Sequence, residues 1–272
     1  MEGSGQFRSI YGVDFSGAVD AGRKIWIAEC TASDSALTVE DCWPLARETS
    51  IKERDACLCY LVELIRKTQS SLFGLDFPFS LPNGVLKTPH ENGSWEDLVA
   101  SFADFKTPDE FKAACCATTC GKELRRKTDS AASSPFSPYN RRLYKQTYYG
   151  IRNLLGPLVR DNAARILPMQ SHDQGLPCII EICPASTLKS ENLYIPYKGR
   201  KWQGNRREIL NRLQSRHQFR LPPEMDARIL GDQAGDALDS VIAALATYKA
   251  SLNGFTTDGR ESDYKIEGYI FR

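Results

Sequence analysis

Histidine is scarce in this 272-residue chain: there are three, His90, His172 and His217, and they lie far apart. Their spacing offers nothing on which a Ser, His, Asp arrangement or a histidine-rich metal site can be argued. Nine cysteines are present, an odd number, without one CxxC pair. Several stand in apolar runs, which predicts small buried hydrophobes in a reducing compartment rather than a disulfide framework. Cys115, Cys116 and Cys120 leave a zinc site open, although no histidine is near them in sequence. No run approaches the roughly 20 apolar residues of a membrane span, and MEGSGQFRSI lacks an apolar signal core. These absences predict a soluble, cytoplasmic protein without a membrane partner.

What is present is a set of acids in costly places. Asp14 in GVDFSG, Asp76 in FGLDFPFS and Glu181 in IIEICPAS interrupt or end apolar β-type runs. An ionised side chain there is expensive unless it is paired or bound to a cation. Asp236 and Asp239, in GDALDSVIAALA, are three apart on a predicted helix and share a face. Each has a plainer reading alone: a turn-forming Asp at a strand end, or an acid in the first turn of a helix. Together, carboxylates converging from strand ends and one helix suit Mg²⁺ or Mn²⁺, hard cations that take oxygen ligands.

The net charge of +1 conceals an asymmetry. Residues 120–165 and 198–220 each carry +7, leaving −13 for the rest. Either stretch alone reads as a solvated helix face; two of them beside an acidic cluster predict a surface for a polyanion, DNA or RNA. The candidate contacts are Arg125, Arg126, Lys127, Arg141, Lys145, Arg152, Arg200, Lys201 and Trp202. Tyr144 and Tyr148 fall on a stripe with Ile151 and Leu155, which suits a buried face better than base stacking. Trp202, between polar neighbours, is the better stacking residue.

Periodicity predicts strands at Ser9–Phe15, Lys24–Thr31 and Ala36–Glu40, with turns at AGRK and SDS. A helix over ERDACLCYLVELIRKTQ and a buried strand, SLFGLDF, follow. After Pro82 the strand pattern stops, predicting a mainly helical insertion over residues 84–176. Its helices are expected at Trp95–Phe105, Pro108–Lys127 and Asn140–Val159, with DSAASSPFSP as a loop. The strand pattern resumes in LPCIIEICPA. NRREILNRLQSR reads as a helix that buries Ile209, Leu210 and Leu213 and exposes its arginines. An alanine-rich helix from Asp232 to about Ala250 carries the stripe Leu238, Val241, Ile242, Leu245 and Tyr248. A closing hairpin is expected to end in YKIEGYIF.

This order, with acids on the first strand, the fourth strand and the last helix, resembles the ribonuclease H-like fold. The spacing of Asp236 and Asp239 resembles that of RuvC-type Holliday-junction resolvases. GVDFSG, GLDFPFS, EICPA and GDALDSVIAAL, closing on EGYIF, together resemble the domain of unknown function 429 family, described as predicted nucleases. The resemblance implies one α/β domain over 1–272, with a mixed five-stranded sheet flanked by helices. It further implies that Asp14 bridges two Mg²⁺ or Mn²⁺ ions, with Asp76, Asp236 and Asp239 as metal ligands. Asp76 stands where the resolvases place a longer Glu. Glu181 joins the expected catalytic acids, either as a ligand or holding a basic residue in place.

The function expected is a metal-dependent nuclease, with homodimerisation, as in the resolvases, left open. Two alternatives come from other classes. One is a catalytically inactive nucleic-acid-binding module on the same fold. The other is an ATP-binding phosphotransferase of the actin, Hsp70 and sugar-kinase group, for which DFSGAVD and DFPFS would be the phosphate loops. That group calls for more glycine in those loops and for a second copy of the core.

Overall fold

The computed structural model describes residues 7–33, 35–86, 93–173 and 175–272. The turn expected around Asp34, the leader assessment at residues 1–6 and His90 lie outside the described residues. An eight-stranded mixed sheet runs through the molecule: β1 (Ser9–Asp14), β2 (Trp26–Ala32), β3 (Leu37–Pro44), β4 (Ser71–Leu75), β5 (Arg165–Leu167), β6 (Cys178–Ile182), β7 (Phe219–Arg220) and β8 (Ile270–Phe271). The order is β5-β6-β4-β1-β2-β3-β7, with β8 also paired to β6. β2 runs antiparallel to β1 and to β3, while β1–β4, β4–β6, β5–β6, β3–β7 and β6–β8 are parallel.

Side chains alternate across the sheet and divide two apolar cores. Tyr11, Val13, Phe73, Leu75 and Ile179 face one core, which the Arg54–Lys67 helix and the helices of the insertion cover. Ile10, Leu72, Ile180 and Ile182 face the other, beneath the helices Gln203–Arg216 and Asp236–Leu252. By this alternation Asp14 and Asp76 continue the second face, and Glu181 continues the first.

The Asp236–Leu252 helix lies unusually close to the sheet. Gly12 and Gly74 are register partners on β1 and β4. A Cβ on Gly12 would overlap the backbone of Ser240 and Ala244, and one on Gly74 would overlap the Thr247 hydroxyl. Alanines at 243, 244 and 246, all buried, complete the close contact. This approach brings the first turn of the helix to the C-terminal end of β1.

Several expectations are corrected. The sheet has eight strands rather than five, because β5, β7 and β8 each contribute two or three residues, too short for a periodic signal. Within the segment 84–176, whose other regular elements among the described residues are helices, β5 extends the sheet edge. The helix expected to reach Lys127 ends at Thr118, and Cys120 and Gly121 follow at positive φ. Lys127–Ala131 is instead a separate helix, taking in the start of the predicted DSAASSPFSP loop. The helix expected from Asn140 begins at Tyr144 and contains a π-helical turn at Gly150–Leu155. No closing hairpin forms: YKIE ends the Glu261–Glu267 helix, and β8 pairs in parallel with β6. That helix also lies downstream of Asp236–Leu252, so the acid-bearing helix is not the last. Among the described residues, no helix is long and apolar enough to cross a membrane.

Candidate metal centre

β1 ends on Asp14, and the Asp236–Leu252 helix presents Asp236 and Asp239 from its first turn. One carboxylate oxygen from each lies within 4.8 Å of the others, and no cysteine or histidine joins this group among the described residues. Asp14 and Asp239 are buried and Asp236 is half-buried. Such a triad of oxygen donors can bind a metal ion.

The helix start has no side-chain cap of its own. Gly235 takes the N-cap position at φ 85°, and its missing side chain leaves room for the Tyr197 ring and the Lys198 stem. The Asp232 carboxylate, outside the helix, accepts from the Ala237 amide at 2.9 Å. It thereby satisfies one of the orphan donors of the first turn.

Asp76 follows β4, and its amide donates to the Val13 carbonyl, fastening the β4 end beside that of β1. Its carboxyl is half-buried and stands outside the 4.8 Å triad. It faces the same cavity as Asp239, Tyr197 and Lys198, a space of about 450 Å³. Asp14, Asp236 and Asp239 are thus brought together, and Asp76 lines the cavity with Asp239.

Crowded acids away from water hold protons. Burial, then the charges of Asp239, Asp76 and Asp236, push the Asp14 carboxyl well above the usual carboxylate range. Burial and Asp239 push Asp76 up to about 8. Burial lifts Asp236 to about 6, against the pull of Lys198. Burial also raises Asp239, opposed by Lys198 and Tyr197. Cys183, beside Asp76 in the cavity wall, is pushed up to about 12 by burial, so it is a neutral thiol rather than a nucleophile.

The partners of Asp239 were not foreseen in the sequence. The Tyr197 hydroxyl donates to Asp239 Oδ1 at 2.7 Å, and Lys198 Nζ lies 2.6 Å from Oδ2 and 3.7 Å from Asp236 Oδ1. Burial works against the Lys198 charge, but Asp239 and Asp14 outweigh it and hold the ammonium above its ordinary range. Buried Arg206 fixes their loop, donating to the carbonyls of Tyr197 at 2.7 Å and Gly199 at 3.0 Å, and to that of Leu230. This corrects the expectation that the arginines of NRREILNRLQSR are all exposed. The signal available was YIPYKGRKW, in which Tyr197 and Lys198 directly precede Gly199 and the basic residues after it.

Glu181 is placed apart from the triad. It is buried on the opposite sheet face, where both its oxygens are taken by Arg126, at 2.5 and 2.7 Å, and Oε2 also accepts from the Phe79 amide. Burial still lifts its carboxyl, while Arg126 opposes the shift. Arg126 in turn binds Asp129 at 2.7 Å and is 1% exposed. The expectation that Arg126 contacts nucleic acid is therefore wrong. It pins the insertion to β6, and Glu181 is the acid that holds it.

The remaining basic candidates divide. Lys127 is exposed and pairs with Asp263 at 2.6 Å. Arg152 is half-buried and donates to the Phe105 carbonyl, a contact internal to the insertion rather than one aimed outward. Arg125, Arg141 and Lys145 are exposed, and the neighbouring Gln146 donates to the Phe15 carbonyl just beyond Asp14. Arg200 and Lys201 are exposed two and three positions after Lys198, with the Lys201 ammonium 4.8 Å from the half-buried Trp202 ring. Tyr148 is buried, as its stripe implied.

Compared with known proteins, the chain matches no family model, no curated protein and no solved structure.

Proposed function

We propose that this protein is a divalent-metal-dependent phosphodiesterase acting on nucleic acid. The observation that carries the reading is the meeting of Asp14, Asp236 and Asp239 oxygens within 4.8 Å at the end of a parallel-sheet strand. Three acids this close, two of them buried, must be compensated by protons or cations, and a divalent cation compensates all three at once. The acids stand at the end of the first strand, after the fourth strand and at the start of the long alanine-rich helix, in keeping with a ribonuclease H-like, RuvC-like nuclease.

In this reading Asp14, Asp236 and Asp239 would hold Mg²⁺ or Mn²⁺, and Asp76, lining the cavity with Asp239, would supply a further oxygen ligand. Divalent ions held there would supply the Lewis acidity that activates a water and stabilises the leaving oxygen of a phosphodiester. The chain's residues then need to position and neutralise rather than attack. Lys198 compensates Asp239 in the metal-free protein. With a divalent ion on the carboxylates, the Lys198 ammonium would be free to face the cavity and meet the phosphate. Arg200, Lys201 and Trp202, on the same loop, extend the contact along the strand.

The test is cleavage of a mixed oligonucleotide pool with Mn²⁺. Asp14→Asn should abolish metal-dependent cleavage while leaving the thermal transition cooperative. An unchanged rate in that variant contradicts the reading, and wild-type protein that binds metal without cleaving supports an inactive binding module instead.

A further inference from the structure

The cavity beside the acids is lined by two chemically different sets of residues. Asp76, Asp239 and Lys198 bring charge to it, while Pro184, Ala185, Ile195 and Pro196 give it apolar surface beside the Tyr194 ring. Tyr194 is 55% exposed, one of few large hydrophobic side chains so open to solvent, and the Lys189 ammonium stands 5.3 Å from its ring. A tyrosine ring that lines a cavity and stays this open to solvent leaves aromatic surface unpacked, which fits a face available to a ligand. The volume, about 450 Å³, lies in the range of small-molecule sites and is enough for one nucleotide.

We infer that this cavity is a subsite for the base of a single unpaired nucleotide, stacked on Tyr194, with its phosphate directed at the carboxylates. The inference rests on the metal-dependent phosphodiesterase reading and names its substrate class: a single-stranded segment or an unpaired strand end of DNA or RNA. A base in a continuous duplex would have to leave its stack to enter. The walls select for a flat apolar face rather than for hydrogen-bonding edges, so the subsite accepts bases with little sequence preference.

The experiment measures binding of a fluorescent 12-mer oligonucleotide, single-stranded or as its blunt duplex, with Ca²⁺ replacing Mn²⁺ to prevent cleavage. Mn²⁺ binding is titrated separately on the same proteins. Wild type should prefer the single strand at least tenfold. Tyr194→Ala should weaken single-strand binding by roughly 5- to 150-fold, the range of one lost base stack. Tyr194→Phe should retain it, and Mn²⁺ affinity should be the same in all three proteins. Equal single-strand affinity in Tyr194→Ala and wild type, or equal affinity of wild type for both oligonucleotides, overturns the subsite while leaving the metal centre standing. Failure of wild type to bind Mn²⁺ instead defeats the underlying reading.

Discussion

At the scale of single residues, Lys198 shows how this acid cluster is tolerated. Its ammonium lies 2.6 Å from Asp239, yet its side chain is 53% exposed, so the pair is screened and worth little as a fastening. A divalent ion can displace it. The protons are the stronger competitors. Asp76 is lifted to about 8 and Asp236 to about 6, whereas the unfolded chain loses these protons near pH 4. The folded state therefore binds protons more tightly, and the stability this contributes is full below about pH 4 and is lost as pH rises through 6 and 8. The raised Lys198 acts only above its ordinary value of 10.5, outside that window. Metal should thus stabilise most where the acids have been forced to ionise. The rise in melting temperature on adding Mn²⁺ is expected to be larger at pH 8 than at pH 5.5, and a rise independent of pH would count against the assignment. In the same titrations Lys198→Met should bind Mn²⁺ more tightly than wild type, by about fivefold, the scale of one screened ion pair.

Residue identity alone could not separate Glu181 from the acids that gather at the cavity. Asp14, Asp76 and Glu181 all follow apolar strand residues, and their cost on burial is the same whichever face they take. Only the register does it: Leu75 pairs with Glu181, and Leu75 belongs to the insertion-side core, so Glu181 faces that side with Arg126. The sequence carries the alternation but not the layer to which each parity belongs.

Among the elements, the Asp236–Leu252 helix decides the geometry of the centre, and its seating depends on the glycine pair beneath it. Gly12→Ala must push the helix away from β1, because the added methyl meets backbone that cannot give way. Overpacking of this kind costs about 1–3 kcal/mol. The same displacement separates Asp236 and Asp239 from Asp14, so Mn²⁺ affinity should fall together with the melting temperature. Gly204→Ala, in the Gln203–Arg216 helix with open space around its α-carbon, should preserve both. Loss of neither property in Gly12→Ala would mean that the helix is not held as described. The elements that make this seat were legible because they are long and periodic: β1, β4, β6 and the alanine-rich helix all lie close to where the pattern puts them. β5, β7 and β8 were not, since two or three residues cannot establish a period of two. The parallel course of β8 depends on where Gly268, at φ 77°, redirects the chain after a helix.

Over the whole molecule, charge along the sequence was an incomplete guide to charge on the surface. The two basic segments include Arg126 and Arg206, both 1% exposed and both spent on internal carboxylates and carbonyls. Long cationic side chains can brace a fold as readily as they can meet a phosphate, and counting them does not tell the uses apart. Exposed cations near the centre include Arg200 and Lys201, next to the lysine already paired with the acids, and Lys145, beside the Gln146 that bonds to Phe15. The sheet, the close helix, the loop fixed by Arg206 and the cavity all meet at one point. The most direct measurement there is a crystal of the wild-type protein soaked in Mn²⁺ and examined for anomalous scattering. A peak about 2–2.6 Å from oxygens of Asp14, Asp236 and Asp239, with Lys198 Nζ withdrawn from Asp239, is the predicted result. Manganese bound elsewhere, or none at these three carboxylates, would contradict it.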